Sequence, residues 1–237
     1  MKHLSNNSCS WRIVVRHEEA PHVYTFKLEA VGPRPTFIAG QYLTVRIPGF
    51  EPHEGKSYSI SSSPDDACLA ITVKDMGGFS KTLLGHAVGD TLTTSLPYGF
   101  FYPEPNETHS LAFVVGGIGI TPCISIIESL LVHKRTQPIT LLYSNRTVDD
   151  IVFKKRIDSL VDTHPNFTAH YFITRGVDTG TPYIYRRMGV PDIHNAVPSP
   201  PETDFFVCGS IHFTQSLWRS LTGSGIPASH IYTEGFF

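Results

Sequence analysis

The sequence has no C-x-x-C pair: its four cysteines stand apart at positions 9, 68, 123 and 208. That spacing argues against an iron–sulfur cluster, a zinc site or a disulfide framework, and it fits a reduced, cytoplasmic setting. No metal is expected. An excess of one charge is also lacking. The 19 Lys and Arg stand against 21 Asp and Glu, for a net charge of −2 and a pI of about 6.6. With no basic face in prospect, nucleic acid and anionic membrane are poor partners. Residues Met1–Asn7 lack the apolar core of a signal peptide. The one long apolar stretch, residues 111–132, is interrupted by Gly116, Gly117, Gly119, Pro122 and Glu128. It therefore reads as a buried strand followed by a helix, not a transmembrane segment. Nothing directs the chain to secretion, so the N-x-S/T sites at Asn6, Asn106, Asn145 and Asn166 read as accidental.

What is present suits one large domain or two small ones: 237 residues, 41% of them hydrophobic. The first half carries short runs rich in Val, Ile, Thr and aromatics at 12–17, 22–30, 42–47, 57–62, 69–74 and 91–95. Six closely spaced strands of this kind predict a small antiparallel β-barrel over residues 1–105. One helical piece, residues 80–87, interrupts it, with Ser80 as its N-cap. After the link at 103–108 the rhythm changes. Strand patterns at 111–115, 139–144, 168–174, 205–208 and 231–234 alternate with helical patterns at 122–133, 149–164 and 212–222. That alternation predicts a Rossmann-like α/β domain with a parallel sheet over residues 106–237. Residues 176–201, rich in proline, read as a loop with a short helix.

Five short motifs lie along this frame: Lys56-Ser57-Tyr58-Ser59, Gly77-Gly78-Phe79-Ser80, Gly116-Gly117-Ile118-Gly119-Ile120-Thr121-Pro122, Cys208-Gly209-Ser210 and Glu234-Gly235-Phe236. The third stands between an apolar strand and a helix, the arrangement that brings backbone N–H groups to a pyrophosphate at a helix N-terminus. It is not the common G-x-G-x-x-G, and alone it is equally a tight turn in any α/β domain. Gly77 and Gly78 before a helix likewise let backbone donors approach phosphate oxygens.

Barrel first, parallel sheet second, with these motifs in this order, the chain resembles the ferredoxin–NADP reductase superfamily over almost its whole length. The resemblance implies FAD in the barrel domain. Tyr58 is then implied against the flavin and its ribityl chain, and Ser59 at the flavin N5, where a donor stabilises developing negative charge. Phe79 and Ser80 belong with Gly77 and Gly78 to the implied FAD phosphate segment. Lys74 is implied near FAD, and is equally readable as a solvated strand end. Lys56 stands where the family has arginine; a hydrated ammonium replaces a planar fork, which weakens the expected grip on the pyrophosphate.

In the second domain the resemblance implies NADPH or NADH on the turn formed by Gly116, Gly117 and Gly119, with Thr121 and Pro122 beside it and Thr121 near the nicotinamide. Cys208 and Gly209 are implied beside the same ring, Cys208 in a geometric role; on its own, it is also readable as a small buried hydrophobe. Ser144 and Arg146 end the second strand, where a hydroxyl and a guanidinium suit a 2′-phosphate and tilt the expectation to NADPH. Arg146 is otherwise a solvated loop charge. Glu234 is implied near the flavin as a proton relay and Phe236 near the ring face; Phe236 and Phe237 are otherwise plain packing. The implied activity is hydride transfer from nicotinamide to flavin, followed by electron transfer to a separate acceptor: ferredoxin, flavodoxin, an oxygenase component or a haem protein. A fused iron–sulfur or haem domain is not expected. Two rivals stand beside it: a subunit active only inside a larger complex, and a nucleotide-binding domain that has lost FAD.

Overall fold

The computed structural model describes residues 8–105, 108–178 and 180–236. Asn6, Asn106 and Phe237 lie outside that range, as does the N-terminal stretch Met1–Asn7. The chain divides into two compact units, residues 1–102 with 124–129 and residues 103–123 with 130–237.

The first unit is an antiparallel sheet of six strands: β1 (Ser8–Ala20), β2 (Val23–Ala30), β3 (Tyr42–Arg46), β4 (Lys56–Ser59), β5 (Leu69–Lys74) and β6 (Thr91–Ser95). Their order is β4-β3-β6-β1-β2-β5. Just past β4, Ile60 bridges Ile71 of β5, and the Ser61 N–H donates to the Ala70 carbonyl at 2.8 Å. The two outer strands thereby meet, and the sheet closes on itself as a barrel. Inward-facing residues from the strands, Trp11, Phe26, Leu28, Leu43, Ile71 and Val73 among them, form one core. Trp11 is fully buried, and its indole N–H donates to Thr94 Oγ1 at 2.9 Å, so its polar edge is satisfied.

The helix in this unit, α1 (Gly78–Leu84), begins two residues before the sequence predicts, and Ser80 is not its N-cap. Gly77 takes that place, with φ +133° and ψ −164°, a conformation essentially restricted to glycine. The Ser80 hydroxyl instead donates to the Gly77 carbonyl at 2.9 Å and accepts from the Met76 N–H at 2.8 Å, tying the turn together. Gly85 ends the helix, its N–H returning to the Lys81 and Thr82 carbonyls.

The second unit is a parallel sheet of β7 (Ser110–Gly116), β8 (Ile139–Asn145), β9 (Phe167–Ile173), β10 (Thr203–Ser210) and β11 (Ile231–Phe236), in the order β11-β10-β7-β8-β9. Its helices are α2 (Ile120–Val132), α3 (Lys154–Thr163), α4 (Val190–Ala196) and α5 (Ile211–Gly223). β7 sits in the middle, and Leu111–Val115 are all but inaccessible, as expected of a strand with helices on both faces. α3 starts at Lys154, not 149, because the Asp150 carboxylate accepts from both the N–H and the hydroxyl of Thr147 and holds residues 147–150 as a turn. No helix among the described residues is long and apolar enough to cross a membrane. Asn145 is buried, and the Asn166 amide donates to the Arg135 and Gln137 carbonyls, so both serve the fold.

Candidate functional site

In the first unit, strand alternation puts Lys56 and Tyr58 on one face of β4 and Ser57 and Ser59 on the other. Lys56 and Tyr58 turn to the same partner. The Lys56 ammonium lies 6.0 Å from the centre of the Phe79 ring, and the Tyr58 ring stacks on it at 6.5 Å with 26° between planes. Phe50 meets the same ring edge-on at 5.3 Å. Two motifs separated by 18 or more positions therefore converge on Phe79, which is itself buried. Burial pushes the Tyr58 hydroxyl up to about 12, so it stays protonated and can donate. Ser59 is buried opposite Tyr42 of β3.

Gly77 and Gly78 are exposed above this cluster, and a Cβ on Gly77 would meet nothing. The first N–H groups of α1 have no partner within the helix, so the turn offers donors to an anionic group. With the exposed Lys56 ammonium on the same side as the aromatic faces, these residues fit a dinucleotide's pyrophosphate. The Ser80 hydroxyl is already spent on its own turn. Lys74 ends β5, partly buried, three residues before Gly77.

In the second unit, the strand order reverses between β7 and β10, and open α/β sheets bind ligands at the carboxyl ends of strands flanking such a reversal. The glycine turn lies there. β7 ends at Gly116, a 3-10 turn spans Gly117–Gly119, and α2 follows with Thr121 and Pro122 in its first turn, where proline is tolerated. β10 brings Cys208 and Gly209 to the same level. A Cβ on Gly119 would lie 2.5 Å from the Cys208 carbonyl oxygen, so only glycine permits this approach. The Phe213 ring covers Gly116 and Gly209 together. The Thr121 hydroxyl donates to the Ile118 carbonyl at 3.1 Å.

The register places the remaining residues. Ser144 pairs with Gly116, Cys208 with Glu234, and Ser210 with Phe236. Arg146 is exposed one residue beyond β8, and the Arg175 N–H donates to its carbonyl at 2.7 Å, bringing a second arginine to this corner. Asn145, between Ser144 and Arg146, is buried at the end of β8.

Three residues at this site escape a reading of motifs. Tyr143, fully buried, donates its hydroxyl to the Gly117 carbonyl at 2.9 Å and holds the turn. Phe213 is the second, signalled only by the glycines it covers. Cys123, distant in sequence from Cys208, is its neighbour in the fold. Burial raises the Cys208 thiol well above its usual value, and the nearby Cys123 and the Glu234 charge push the same way. Cys208 is thus held as a thiol and packs, rather than attacks.

Residues 113–217 match the family model of the oxidoreductase NAD-binding domain. A flavohemoprotein of Rhizobium meliloti is 28% identical over 95% of this chain and 60% of its own length. The chain thus spans about 60% of the curated relatives of that type. Among solved structures, the flavohem-like FAD/NAD-binding domain of a nitric oxide dioxygenase from Vibrio cholerae superposes with a TM-score of 0.86 at 21% identity, covering 98% of this chain and 99% of that one. A ferredoxin–NADP+ reductase from Neisseria gonorrhoeae, with FAD and NADP bound, gives 0.82 at 21% identity, covering 98% and 100%.

Proposed function

We propose that this chain, a reductase module with the two-domain fold of the ferredoxin–NADP reductase superfamily, is an FAD-dependent NAD(P)H oxidoreductase that serves a separate electron acceptor. FAD belongs to the barrel domain, residues 1–105, and the nicotinamide nucleotide to residues 106–237. The observation that carries this is the meeting of Gly116–Gly119 with Cys208–Gly209 at the point where the parallel sheet reverses its order.

Bound FAD supplies the redox chemistry, taking hydride from the nicotinamide and releasing electrons singly or in pairs. The protein's part is binding, orientation and electrostatics. Lys56 and the first N–H groups of α1 hold the FAD pyrophosphate, Tyr58 packs beside its ring system, and Lys74 adds a second cation. Ser59 donates at the atom where negative charge develops, and a fixed donor in a buried position costs no reorganisation at that moment. On the other domain, the glycine turn accepts the nucleotide pyrophosphate at the start of α2, and Thr121, Cys208 and Gly209 flank the nicotinamide. Cys208 fills space there as a neutral thiol. Glu234 serves as a proton relay, and Phe236 packs near the ring face. Ser144 and Arg146 take a 2′-phosphate, which makes NADPH the favoured donor. The acceptor is a redox protein in a cytoplasmic setting.

The purified chain loaded with FAD is mixed anaerobically with NADPH or NADH in a stopped-flow instrument. Bleaching of the flavin band is expected, with ferricyanide restoring it. Ser59→Ala should slow bleaching roughly 10- to 1,000-fold with little change in nucleotide affinity, the range a single oxyanion donor commands. A chain that folds but takes up no flavin returns the reading to a nucleotide-binding domain without FAD. A flavin-loaded chain that neither nucleotide bleaches would end it altogether.

A further inference from the structure

Among the described residues, Asp204 is the only Asp or Glu that is buried, at 2% exposure. A carboxylate so placed needs positive charge or full hydrogen bonding to stay ionised. Two imidazoles converge on one of its oxygens. His230 Nδ1 stands 2.7 Å from Asp204 Oδ1 and His109 Nδ1 stands 3.4 Å from it, and all three atoms lie within 4.8 Å of one another. The two rings are 5.1 Å apart, inclined at 45°.

Topology assembles the group. His109 immediately precedes β7, Asp204 is the second residue of β10, and His230 immediately precedes β11. Since β10 lies between β7 and β11, three adjacent strands each present one ligand from their N-terminal ends. The glycine turn and Cys208 occupy the opposite ends of these strands. At about 3.3 Å per residue, the four steps from Asp204 to Cys208 put roughly 13 Å between the two places.

We propose that His109, Asp204 and His230 bind a divalent zinc ion. Two imidazole nitrogens and a carboxylate oxygen are a ligand set zinc accepts, with water in the fourth position. Zinc bonds of about 2.0–2.1 Å in a tetrahedron set neighbouring donors roughly 3.4 Å apart. The His109–Asp204 spacing already has that value, and the His230–Asp204 spacing opens by less than an ångström to reach it. Each histidine gives up the Nδ1 proton, and the ion replaces both as the counter-charge for the buried carboxylate. The His109 and His230 side chains remain 35% and 25% exposed, which leaves an entry path and room for the water. The Arg135 guanidinium donates to the His109 carbonyl. The cysteine pattern is silent on this set, because no cysteine belongs to it. The ion clips three strands together at one end of the sheet, a structural role independent of the proposed redox activity.

The test uses the whole chain stripped by a chelator and then titrated with zinc chloride, bound metal being counted by elemental analysis after dialysis. One zinc per chain and a raised melting temperature are expected. His109→Gln and His230→Gln should each weaken binding by more than roughly 10–100-fold, the cost of losing even an outer-shell partner. His53→Gln, on an exposed loop, should not. Cobalt(II), added to the stripped wild type, should give the visible bands of a four-coordinate ion, a readout that needs no variant to fold. Substoichiometric zinc, equal binding by the His109 and His230 variants, or a purely six-coordinate cobalt spectrum would each overturn the assignment.

Discussion

Gly119 rests backbone to backbone on Cys208: a Cβ at 119 would stand 2.5 Å from the Cys208 carbonyl oxygen, 2.6 Å from its carbonyl carbon and 2.7 Å from the Gly209 nitrogen. The atoms in the way are all main chain, so no rotamer change can relieve the clash. The turn after β7 and the end of β10 are one piece of structure, although 89 positions separate the two residues.

Gly119→Ala should therefore part the turn from β10. Overpacking of this kind costs about 1–3 kcal/mol, and at this chain length each kcal/mol lowers the melting temperature by about 2–4 °C. Because the displaced turn is the proposed pyrophosphate seat, KM for the nucleotide should rise as well. Circular dichroism melts and steady-state kinetics check both; an alanine protein with wild-type melting and KM contradicts the backbone contact.

Lys56→Arg should tighten FAD retention. The ammonium lies 6.0 Å from the Phe79 ring, on the face shared with Tyr58, and a guanidinium there can stack and make two bonds to a phosphate. A gain of about 1 kcal/mol is the net size of one added ordinary hydrogen bond. Flavin loss on gel filtration compares the two proteins. Equal or faster loss from the arginine form removes Lys56 from the pyrophosphate.

Arg146→Ala addresses the choice of nucleotide. If its guanidinium meets a 2′-phosphate, the substitution removes a charge-assisted contact of about 1.5–3 kcal/mol, and kcat/KM for NADPH falls at least several-fold while NADH is unaffected. Arg175, joined to Arg146 through the main chain, can retain part of the preference, so Arg146→Ala/Arg175→Ala should lose more than either change alone. Parallel small losses with both nucleotides would identify Arg146 as a solvated charge.

Local pattern was enough for most of the fold. The strands at 69–74 and 91–95 stand where their β-branched residues and turns put them, and the α/β rhythm after residue 108 fixed the parallel sheet. Helix starts were less legible, since they depend on side-chain bonds that periodicity ignores: Ser80 caps nothing because its hydroxyl is turned to Gly77, and α3 waits for the Thr147–Asp150 turn. The glycine-rich motifs were readable because they are contiguous. Tyr143, Phe213 and Cys123 were not, because each reaches the site from an element whose own pattern says only that it is buried. The His109, Asp204 and His230 set belongs with them: three single residues that only the strand order unites.

That strand order also bears on how the chain is made. β7 is the first strand of its sheet to leave the ribosome, yet it ends in the centre, with β8 on one edge and β10 on the other. β8 follows at once. β10 does not begin until residue 203, so at about 5–20 residues per second translation from residue 116 onward takes roughly 4–17 s before it exists. Throughout that interval one edge of an almost wholly apolar strand has no native partner, the condition under which nascent chains pair wrongly or aggregate. The nascent protein is thus most in need of chaperone shelter while residues 117–202 are being synthesised.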